Sequence, residues 1–229
     1  MIRTVEETGS TNDDMAALAR GGAAEGLWLR AERQTGGRGR QGRGWQSPPG
    51  NLFASTLVRL QPHDPPAPTL ALVAAVALHE SLSIAASGPQ FIIKWPNDLL
   101  VDGAKLSGIL LERADDAVII GIGVNLAFHP EGLGRPVTSV AALVGAAPEP
   151  AAFLEILAES FAQWLSRWRT EGLEPIRGRW LAHAHPLGTA LSTPEGEGMF
   201  DGLDESGALR LRLADGASRV IHAGDVFLI

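Results

Sequence analysis

The chain of 229 residues contains no cysteine and no tyrosine, and its basic side chains include only two lysines. The absence of cysteine excludes disulfide bonds, thiolate nucleophiles and zinc sites with cysteine ligands. The net charge of −7 argues against a general nucleic-acid-binding protein, which usually carries a basic face. No apolar signal-peptide region follows Met1, and the most apolar stretch, residues 67–77, is too short to span a bilayer. These absences predict a cytoplasmic protein without a membrane anchor.

Apolar residues make up 45% of the chain and charged residues 20%, which is typical of a globular protein. The length fits one principal domain with a small appendage. Apolar periodicity predicts helices at 10–20, 69–86, 139–144 and 150–170, and strands at 2–5, 27–32, 52–60, 91–95, 99–111 and 117–126. The strand at 99–111 is predicted to be a hairpin that turns at Asp102-Gly103.

The pattern changes near residue 187, where short apolar segments alternate with turns rich in glycine, proline and acidic residues. Such spacing predicts a small β-barrel of about five strands. A unit of roughly 40 residues is near the lower limit for independent folding, so we expect it to pack on the main domain. The predicted boundaries are 1–186 for the main domain and 187–229 for the C-terminal unit.

Residues 33–50, called the glycine–arginine loop below, have no apolar period. Glycines allow backbone N–H groups to approach a bound anion, and arginines supply forked donors for phosphate or carboxylate. An RNA-binding Arg-Gly tract and a solvated linker are the alternatives. The loop is short, lies between two predicted core strands and belongs to an acidic chain. We therefore favour a small-anion site, mobile when empty and ordered by its ligand.

Both lysines lie in residues 94–105, called the lysine segment below. In a chain whose other basic residues are arginines, a retained lysine indicates a site that needs a compact ammonium group. We expect Lys105 to be partly desolvated by its apolar neighbours, which strengthens its pairing with an anion. Asn97 and Asp98 could contact a nucleotide, orient a cation or accept a proton, although the same pair could also form a simple turn.

Gly121 and Gly123 lie within the strand predicted at 117–126. Glycine weakens a strand unless another group approaches the backbone closely. We expect that group to be a ligand, and the alternative is a neighbouring backbone. The spacing is not a dinucleotide-binding fingerprint, because no third glycine and no helix follow.

Five motifs together resemble a bacterial biotin protein ligase in order and spacing. They are Ser10-Thr11-Asn12, Gly37-Arg38-Gly39-Arg40-Gln41-Gly42-Arg43-Gly44-Trp45, Lys94-Trp95-Pro96-Asn97-Asp98, Lys105-Leu106-Ser107-Gly108-Ile109-Leu110 and Gly121-Ile122-Gly123-Val124-Asn125. The resemblance covers nearly the whole chain. It implies an α+β fold with a mixed β-sheet flanked by helices, as in class II aminoacyl-tRNA synthetases, followed by a small SH3-like β-barrel.

The resemblance also implies a reaction in two halves. Biotin is first activated by ATP as biotinyl-5′-AMP with release of pyrophosphate. The biotinyl group is then transferred to one lysine of a biotin carboxyl carrier protein, such as that of acetyl-CoA carboxylase. Mg²⁺ is expected to be held by the phosphates, and no protein metal site is predicted.

The site residues implied by the resemblance fall into three sets. The catalytic set is Lys105, Arg40 and Asp98. The biotin-binding set is Ser10, Thr11, Asn12, Gln34, Gly37, Arg38, Gly39, Arg40 and Lys105. The set for ATP and the adenylate is Arg38, Arg40, Trp45, Asn97, Lys105 and Asn125.

Ser10, Thr11 and Gln34 would bind the ureido ring of biotin, while the arginines and Lys105 would stabilise developing negative charge. Asp98 is a candidate to orient the acceptor lysine or to take its proton. The roles of Asn97 and Asn125 would be adenine or ribose contacts.

Only nine residues precede Ser10, so we expect no DNA-binding winged helix, no DNA partner and a monofunctional enzyme. A monomer and a homodimer are both open. The nearest alternative activity is that of a lipoate or octanoate ligase or transferase, whose catalytic domain has a similar fold. A nucleic-acid-binding module and a catalytically inactive biotin-binding protein are more distant alternatives.

Overall fold

The computed structural model describes residues 1–229. A mixed sheet is built from β1 (Ile2–Thr8), β2 (Trp28–Gln34), β3 (Leu52–Arg59), β4 (Ile92–Lys94), β5 (Asp98–Val101), β6 (Ala104–Ala114) and β7 (Ala117–Val124). Its seven strands lie in the order β1-β2-β3-β7-β6-β5-β4. Only β1 and β2 pair in parallel, and every other neighbouring pair is antiparallel. The predicted mixed sheet is therefore confirmed.

Helices cover both faces of this sheet. They are α1 (Thr11–Arg20), α2 (Leu70–Ala85), α3 (Val140–Val144), α4 (Pro150–Glu171) and α5 (Glu174–Ala182). On one face, Met15 and Ala19 of α1 pack against Leu57 and Ile119 in a small apolar cluster. On the other face, α2 and α4 contribute to a cluster of 43 buried residues. Buried residues on both faces explain the nearly continuous apolar runs in β3 and β7.

Helix α2, with the short 3₁₀ turn before it, forms a continuous apolar stretch. The segment Ala67–Ala85 is long and apolar enough to cross a membrane by length and composition. The expectation that this region is too short was therefore wrong. The physical reason for its composition is burial, because most of α2 is enclosed by the sheet, α4 and α5.

The lysine segment forms the hairpin that the sequence predicts. Asp102 and Gly103 have φ angles of 49° and 78°, the left-handed values of a two-residue type I′ turn. The turn returns β6 alongside β5 and brings Lys105 opposite Leu100. The glycine–arginine loop starts two residues later than predicted, because Arg33 and Gln34 still belong to β2, and it contains a 3₁₀ turn at Arg40–Gly42.

Helix α5 was not predicted from the sequence. Pro175 lies in its first turn, where proline is tolerated, but Gly178 lies in its middle and weakens the helix. Tertiary contacts supply the missing stabilisation, because Ile176 and Trp180 lie one turn apart and are buried.

The C-terminal unit is a five-stranded antiparallel sheet of β8 (Ala190–Thr193), β9 (Gly196–Leu203), β10 (Leu209–Arg212), β11 (Ser218–Ile221) and β12 (Phe227–Leu228). The strand order is β11-β10-β9-β8-β12, so β11 and β12 are its edges. Its apolar residues belong to the same cluster as the core of the main sheet. The Trp95 indole donates to the Gly207 carbonyl at 3.3 Å, which ties the two sheets together. Closure into a barrel stays a prediction.

Candidate active site

One cleft collects most of the side chains that the sequence motifs contain. It lies where the start of α1, the glycine–arginine loop, the lysine segment, β7 and the C-terminal sheet meet, and its empty volume is about 880 Å³ including open solvent. The cleft lies over the end of the sheet where β2, β6 and β7 carry their motif residues. The chain folding thus brings residues of all five motifs to one place.

Small polar side chains form one end of the cleft. Gln34 Oε1 accepts from the Thr11 backbone N–H at 2.9 Å and from the Thr11 hydroxyl at 3.1 Å. Gln34 Nε2 donates to the Ser47 hydroxyl at 3.1 Å. The Ser55 hydroxyl lies 2.8 Å from the Thr11 hydroxyl and donates to Asn12 Oδ1 at 2.6 Å. This network fixes the orientation of each amide and hydroxyl before a ligand binds.

Ser10 occupies the N-cap position of α1, but its hydroxyl makes no capping hydrogen bond. The residue is buried and lines the cleft. A serine at this position usually satisfies an N–H of the first helical turn. Because this one does not, its hydroxyl remains available to a ligand.

Two ammonium groups share one carboxylate at the other end of the cleft. Lys105 Nζ donates to Asp98 Oδ1 at 2.5 Å, and Lys94 Nζ lies 3.8 Å from Asp98 Oδ2. Burial lowers the pKa of Lys105, and Asp98 opposes this shift by favouring the charged amine. Burial likewise lowers the pKa of Lys94, again against the effect of Asp98. The two lysines together exceed the charge of Asp98, so an anion would be attracted here.

Backbone hydrogen bonds hold the lysine segment in place. The Lys105 N–H donates to the Pro136 carbonyl at 3.0 Å, and the Thr138 N–H donates to the Lys105 carbonyl at 2.9 Å. Asn97 makes two hydrogen bonds with the backbone of Ile109. The side-chain amide of Asn97 donates to the Ile109 carbonyl at 2.7 Å, and the backbone carbonyl of Asn97 accepts from the Ile109 N–H at 2.9 Å. The position of Lys105 is therefore set by main-chain geometry.

Arg38 is held by two carboxylates from other elements. Its guanidinium binds Asp13 of α1 through two hydrogen bonds of 2.6 and 2.5 Å, and it lies 3.2 Å from Glu112 of β6. The hydrogen bond from Arg38 lowers the pKa of Asp13, and the same pairing raises the pKa of Arg38. Glu112 also accepts from the Asn12 amide at 2.6 Å, which connects Arg38 to the polar end of the cleft.

Arg40 and Arg43 connect the glycine–arginine loop to the C-terminal sheet. Arg40 donates to Asn97 Oδ1 at 3.3 Å and to the Gly224 carbonyl at 3.1 Å. Arg43 Nη2 lies 3.0 Å from Asp225 Oδ1, and Arg40 Nη1 lies 3.6 Å from the same oxygen. The C-terminal sheet is therefore part of the cleft wall.

Trp45 packs against the glycines of two adjacent strands. A Cβ on Gly123 would lie 2.7 Å from the indole, and one on Gly108 would lie 3.2 Å from both the indole and Lys105 Nζ. At Gly121 the close neighbour is the Asn12 side chain. Side chains of the protein therefore approach both glycines, which also line the cleft, and the expectation that a ligand approaches them stays a prediction. The Trp45 indole N–H is buried without a hydrogen-bond partner.

A second cavity, with an empty volume of about 710 Å³, adjoins the cleft. Trp45, Lys105 and Arg135 line both cavities. Asn125 lines only the second, where its amide donates to the Thr138 carbonyl at 3.0 Å. The two cavities meet at Lys105, so a ligand with an acyl part and a nucleotide part could place the junction of its parts beside that ammonium.

The cleft brings together most of the residues selected from the sequence: Ser10, Thr11, Asn12, Gln34, Arg38, Gly39, Arg40, Trp45, Asn97, Asp98 and Lys105. Gly37 lies behind the wall, where a Cβ would meet Ser47 and Trp45, and Asn125 lies in the second cavity. Sequence reasoning missed Ser47, Ser55, Glu112, Arg135 and Asp225. None belongs to a dense motif, and only the three-dimensional contacts single them out.

Comparisons with known proteins agree with this geometry. Residues 11–125 match the Biotin/lipoate A/B protein ligase family, and residues 189–229 match the Biotin protein ligase C terminal domain. The chain is 42% identical over 236 aligned residues to a biotin–[acetyl-CoA-carboxylase] ligase of Paracoccus denitrificans, covering 96% of this chain and 97% of the relative. It is 35% identical to the ligase of the same name from Mycobacterium tuberculosis, covering 98% and 88% of the two chains.

The fold is similar to that of a biotin protein ligase from Aquifex aeolicus solved in complex with biotin and ATP. The TM-score is 0.90 at 26% sequence identity, and the match covers 100% of this chain and 99% of the other. The similarity thus extends over both the main sheet and the C-terminal sheet.

Proposed function

The chain belongs to the biotin/lipoate A/B protein ligase family, and from this premise we infer that it is a biotin–protein ligase. It activates biotin with ATP and transfers the biotinyl group to a lysine of a biotin carboxyl carrier protein. The observation that carries this function is one cleft with fixed small hydrogen-bonding groups at one end and the partly buried Lys105 at the other. The hydrogen-bonding groups at the first end can bind a ureido ring. The ammonium group at the second end can bind a carboxylate and a phosphate that react with each other.

In the first half-reaction, a carboxylate oxygen of biotin attacks the α-phosphorus of ATP. The bond from that phosphorus to the oxygen bridging to the β-phosphate breaks, and pyrophosphate leaves with the electron pair. Two anions must meet, so fixed cations lower the barrier where charge develops. We assign this role to Lys105 and Arg40, with Arg38 closing over the product.

In the second half-reaction, the amine of the acceptor lysine attacks the acyl carbon of biotinyl-5′-AMP. The bond from this carbon to the phosphate oxygen breaks, AMP leaves with the electron pair, and the proton of the amine passes to Asp98 or to water. Asp98 already binds Lys105 at 2.5 Å. A ligand that draws Lys105 away would free an oxygen of Asp98 to orient the acceptor amine.

The remaining contacts are assigned by chemistry. We propose that Ser10, Thr11, Asn12 and Gln34 bind the ureido ring, with Gly37 and Gly39 shaping the loop around it. Trp45, Asn97 and Asn125 are proposed for the nucleotide.

We propose that Mg²⁺ acts with the triphosphate. No group of three or more His, Asp or Glu side chains is arranged to hold a metal ion. The carboxylates at the cleft, Asp98 and Asp225, are paired with lysine or arginine. The donor set therefore fits a cation held mainly by phosphate oxygens, where it would neutralise their charge.

We also propose the division into a catalytic domain at 1–186 and a C-terminal domain at 187–229 whose five strands close as an SH3-like barrel. The proposed setting is the cytoplasm, where ATP and the carrier protein are both present. The carrier is identified only by its chemistry, as a folded domain that presents one exposed lysine.

The test is exchange of labelled pyrophosphate into ATP, measured with biotin and, separately, with lipoate. We expect exchange with biotin and none with lipoate, and in a separate reaction with labelled biotin and ATP we expect the biotin label to appear on an added carrier domain. Exchange that depends on lipoate instead would assign the lipoate or octanoate activity. No exchange with either acid, in protein that is folded, would contradict the proposed function.

A further inference from the structure

The C-terminal sheet sends one short segment across the mouth of the cleft. Residues 222–226 connect β11 to β12, and Asp225, Val226 and Phe227 line the cleft with the glycine–arginine loop. The Gly224 carbonyl accepts from Arg40 at 3.1 Å, and the Asp225 carboxylate lies 3.0 Å from Arg43 and 3.6 Å from Arg40. Two arginines of the loop therefore contact one short piece of another sheet.

The segment is anchored by its own sheet. Val226, next to Asp225, is only 3% exposed and belongs to the large apolar cluster. Gly224 has a φ of 142°, and a Cβ there would lie 3.4 Å from the Pro194 ring, so the backbone path favours glycine. Packing thus fixes where the Gly224 carbonyl and the Asp225 carboxylate point.

The arginines on the other side are held less firmly. Within the loop, three backbone hydrogen bonds form: the Gly39 N–H donates to the Arg43 carbonyl at 2.7 Å, the Arg43 N–H donates to the Arg40 carbonyl at 3.3 Å and the Trp45 N–H donates to the Gly37 carbonyl at 2.9 Å. Glycines raise the entropy cost of ordering such a segment. The contacts with Gly224 and Asp225 therefore have a large influence on where Arg40 and Arg43 lie.

We propose that Asp225 is a positioning residue that holds Arg40 and Arg43 across the cleft and so keeps the glycine–arginine loop closed over the acyl-adenylate. The role rests on the proposed function, because it concerns the intermediate of that reaction. A guanidinium has five N–H donors, so Arg40 can contact Asn97 and the C-terminal sheet and still donate to an anion. Two arginines face one aspartate, so the pair retains a net positive charge.

Closure matters because the intermediate is a mixed anhydride that reacts with water and with any amine. It must stay in the cleft from its formation until the acceptor lysine arrives. We call the contacts of Arg40 and Arg43 with Gly224 and Asp225 the latch. Because these are contacts between the loop and the C-terminal sheet at the mouth of the cleft, they can open when the acceptor protein docks there. Formation of the adenylate depends mainly on Lys105, whereas its retention depends on the latch.

The experiment compares Asp225→Asn, Asp225→Glu, Arg43→Gln and the Asp225→Asn/Arg43→Gln double variant. Labelled biotinyl-5′-AMP is formed on each protein and chased with unlabelled biotin and ATP to measure its release. We expect release to be faster by about tenfold in Asp225→Asn and in Arg43→Gln, the loss expected for one charge-assisted hydrogen bond. The double variant should release no faster than either single one, and Asp225→Glu should restore much of the retention.

The matched control is Glu205→Gln, which removes one negative charge from an exposed turn of the same sheet. Its release rate should equal that of the unmodified protein. Unchanged release in Asp225→Asn, or effects that add in the double variant, would overturn the proposal. If Asp225→Asn fails to fold, Arg43→Gln decides alone, because Arg43 lies on the exposed loop.

A second readout separates this proposal from the proposed function. Tryptic cleavage within the glycine–arginine loop is measured without any ligand. Faster cleavage after Arg40 in Asp225→Asn, relative to Glu205→Gln, supports the latch even if the protein made no adenylate. Equal cleavage in the two variants would contradict it.

Discussion

The lysine segment and the glycine–arginine loop supply cations to the same cleft by different means. Backbone hydrogen bonds to β6, Pro136 and Thr138 fix the lysine segment, so Lys105 has little freedom. The arginine-containing part of the glycine–arginine loop makes its backbone hydrogen bonds within the loop, and ion pairs with Asp13, Glu112 and Asp225 connect it to the other elements of the cleft. In the mechanism that we propose, the fixed ammonium of Lys105 stabilises charge at one position, while the loop arginines close over the bound ligand. The proposed roles fit the chemistry of the two side chains, a compact ammonium at the fixed position and forked guanidiniums on the loop.

The largest expected effect comes from changing the fixed cation. Lys105→Met should lower the rate of adenylate formation by a factor on the order of 10²–10³, because one donor to the developing charge is lost. Lys105→Arg should fail to restore it, since the amine lies among Gly108, Trp45 and Asp98 with little room for a planar guanidinium. Single-turnover measurements of biotinyl-5′-AMP provide the check.

The matched control for that change is Arg113→Met, near the far end of the same strand β6 with an exposed side chain. Its rate should stay near that of the unmodified protein. A Lys105→Arg variant that forms the adenylate at a normal rate would remove the distinction between the two regions.

An intermediate effect is expected from pH, and it should act on the lysine segment. His79 stacks on His183 with ring centroids 3.9 Å apart, and the His183 carbonyl accepts from the Ile93 N–H of β4 at 2.8 Å. Burial lowers the pKa of His79 from 6.5 to about 4, with His183 and Arg179 acting in the same direction and a hydrogen bond to the Phe91 backbone and Glu80 opposing them. Between pH 4 and pH 6.5, His79 therefore binds a proton in the unfolded chain but not in the folded chain.

The stability from neutral His79 is therefore complete above pH 6.5 and is lost as the pH falls towards 4. The upper bound on this loss is about 3 kcal/mol. His79→Gln should make the free energy of unfolding less dependent on pH across that window, and His63→Gln, an exposed change, should not. Urea titrations across the window measure this. Parallel curves for the two variants would show that His79 does not couple pH to stability.

The smallest effect is expected at the glycine–arginine loop. Asp13→Asn removes the paired acceptor of Arg38, but the aspartate side chain is 60% exposed, so the free energy of unfolding should change by less than about 1 kcal/mol. Tryptic cleavage after Arg38 should nevertheless become faster, because Glu112 alone would retain the guanidinium. Glu6→Gln, on the exposed side of β1, is the control. A large loss of stability would mean that the loop is as fixed as the lysine segment.

The sequence predicted the lysine segment better than its surroundings. Asp102 and Gly103 form a turn because both residue types tolerate the positive φ angles that it requires. The apolar patterns of β3, β7, α2 and α4 follow from their burial. Each of these features depends on residues that are close together in the chain. The individual strands could therefore be predicted with nearly correct boundaries, whereas their arrangement in a mixed sheet was implied by the resemblance to biotin protein ligases.

The remaining features depend on contacts between distant residues. Asp225 lies 182 positions after Arg43, and nothing in its local sequence marks it as part of the cleft. Asn12 and Trp45 lie against Gly121 and Gly123, and local reasoning could not identify these neighbours. Helix α5 contains Pro175 and Gly178 and is stabilised by packing. Tertiary contacts decided each of these cases.

The position of Trp45 gives the protein a built-in optical reporter. Of the six tryptophans, Trp28, Trp95, Trp164, Trp168 and Trp180 are buried away from changes in solvent, and Trp45 is the one at the cleft. Its indole N–H has no hydrogen-bond partner, and its ring lies 5.6 Å from the Lys105 ammonium. A ligand bound in the cleft would therefore change both the polarity and the charge around the indole. Intrinsic fluorescence should therefore follow occupancy in unlabelled protein, and Trp45→Phe should remove the signal while leaving the background emission.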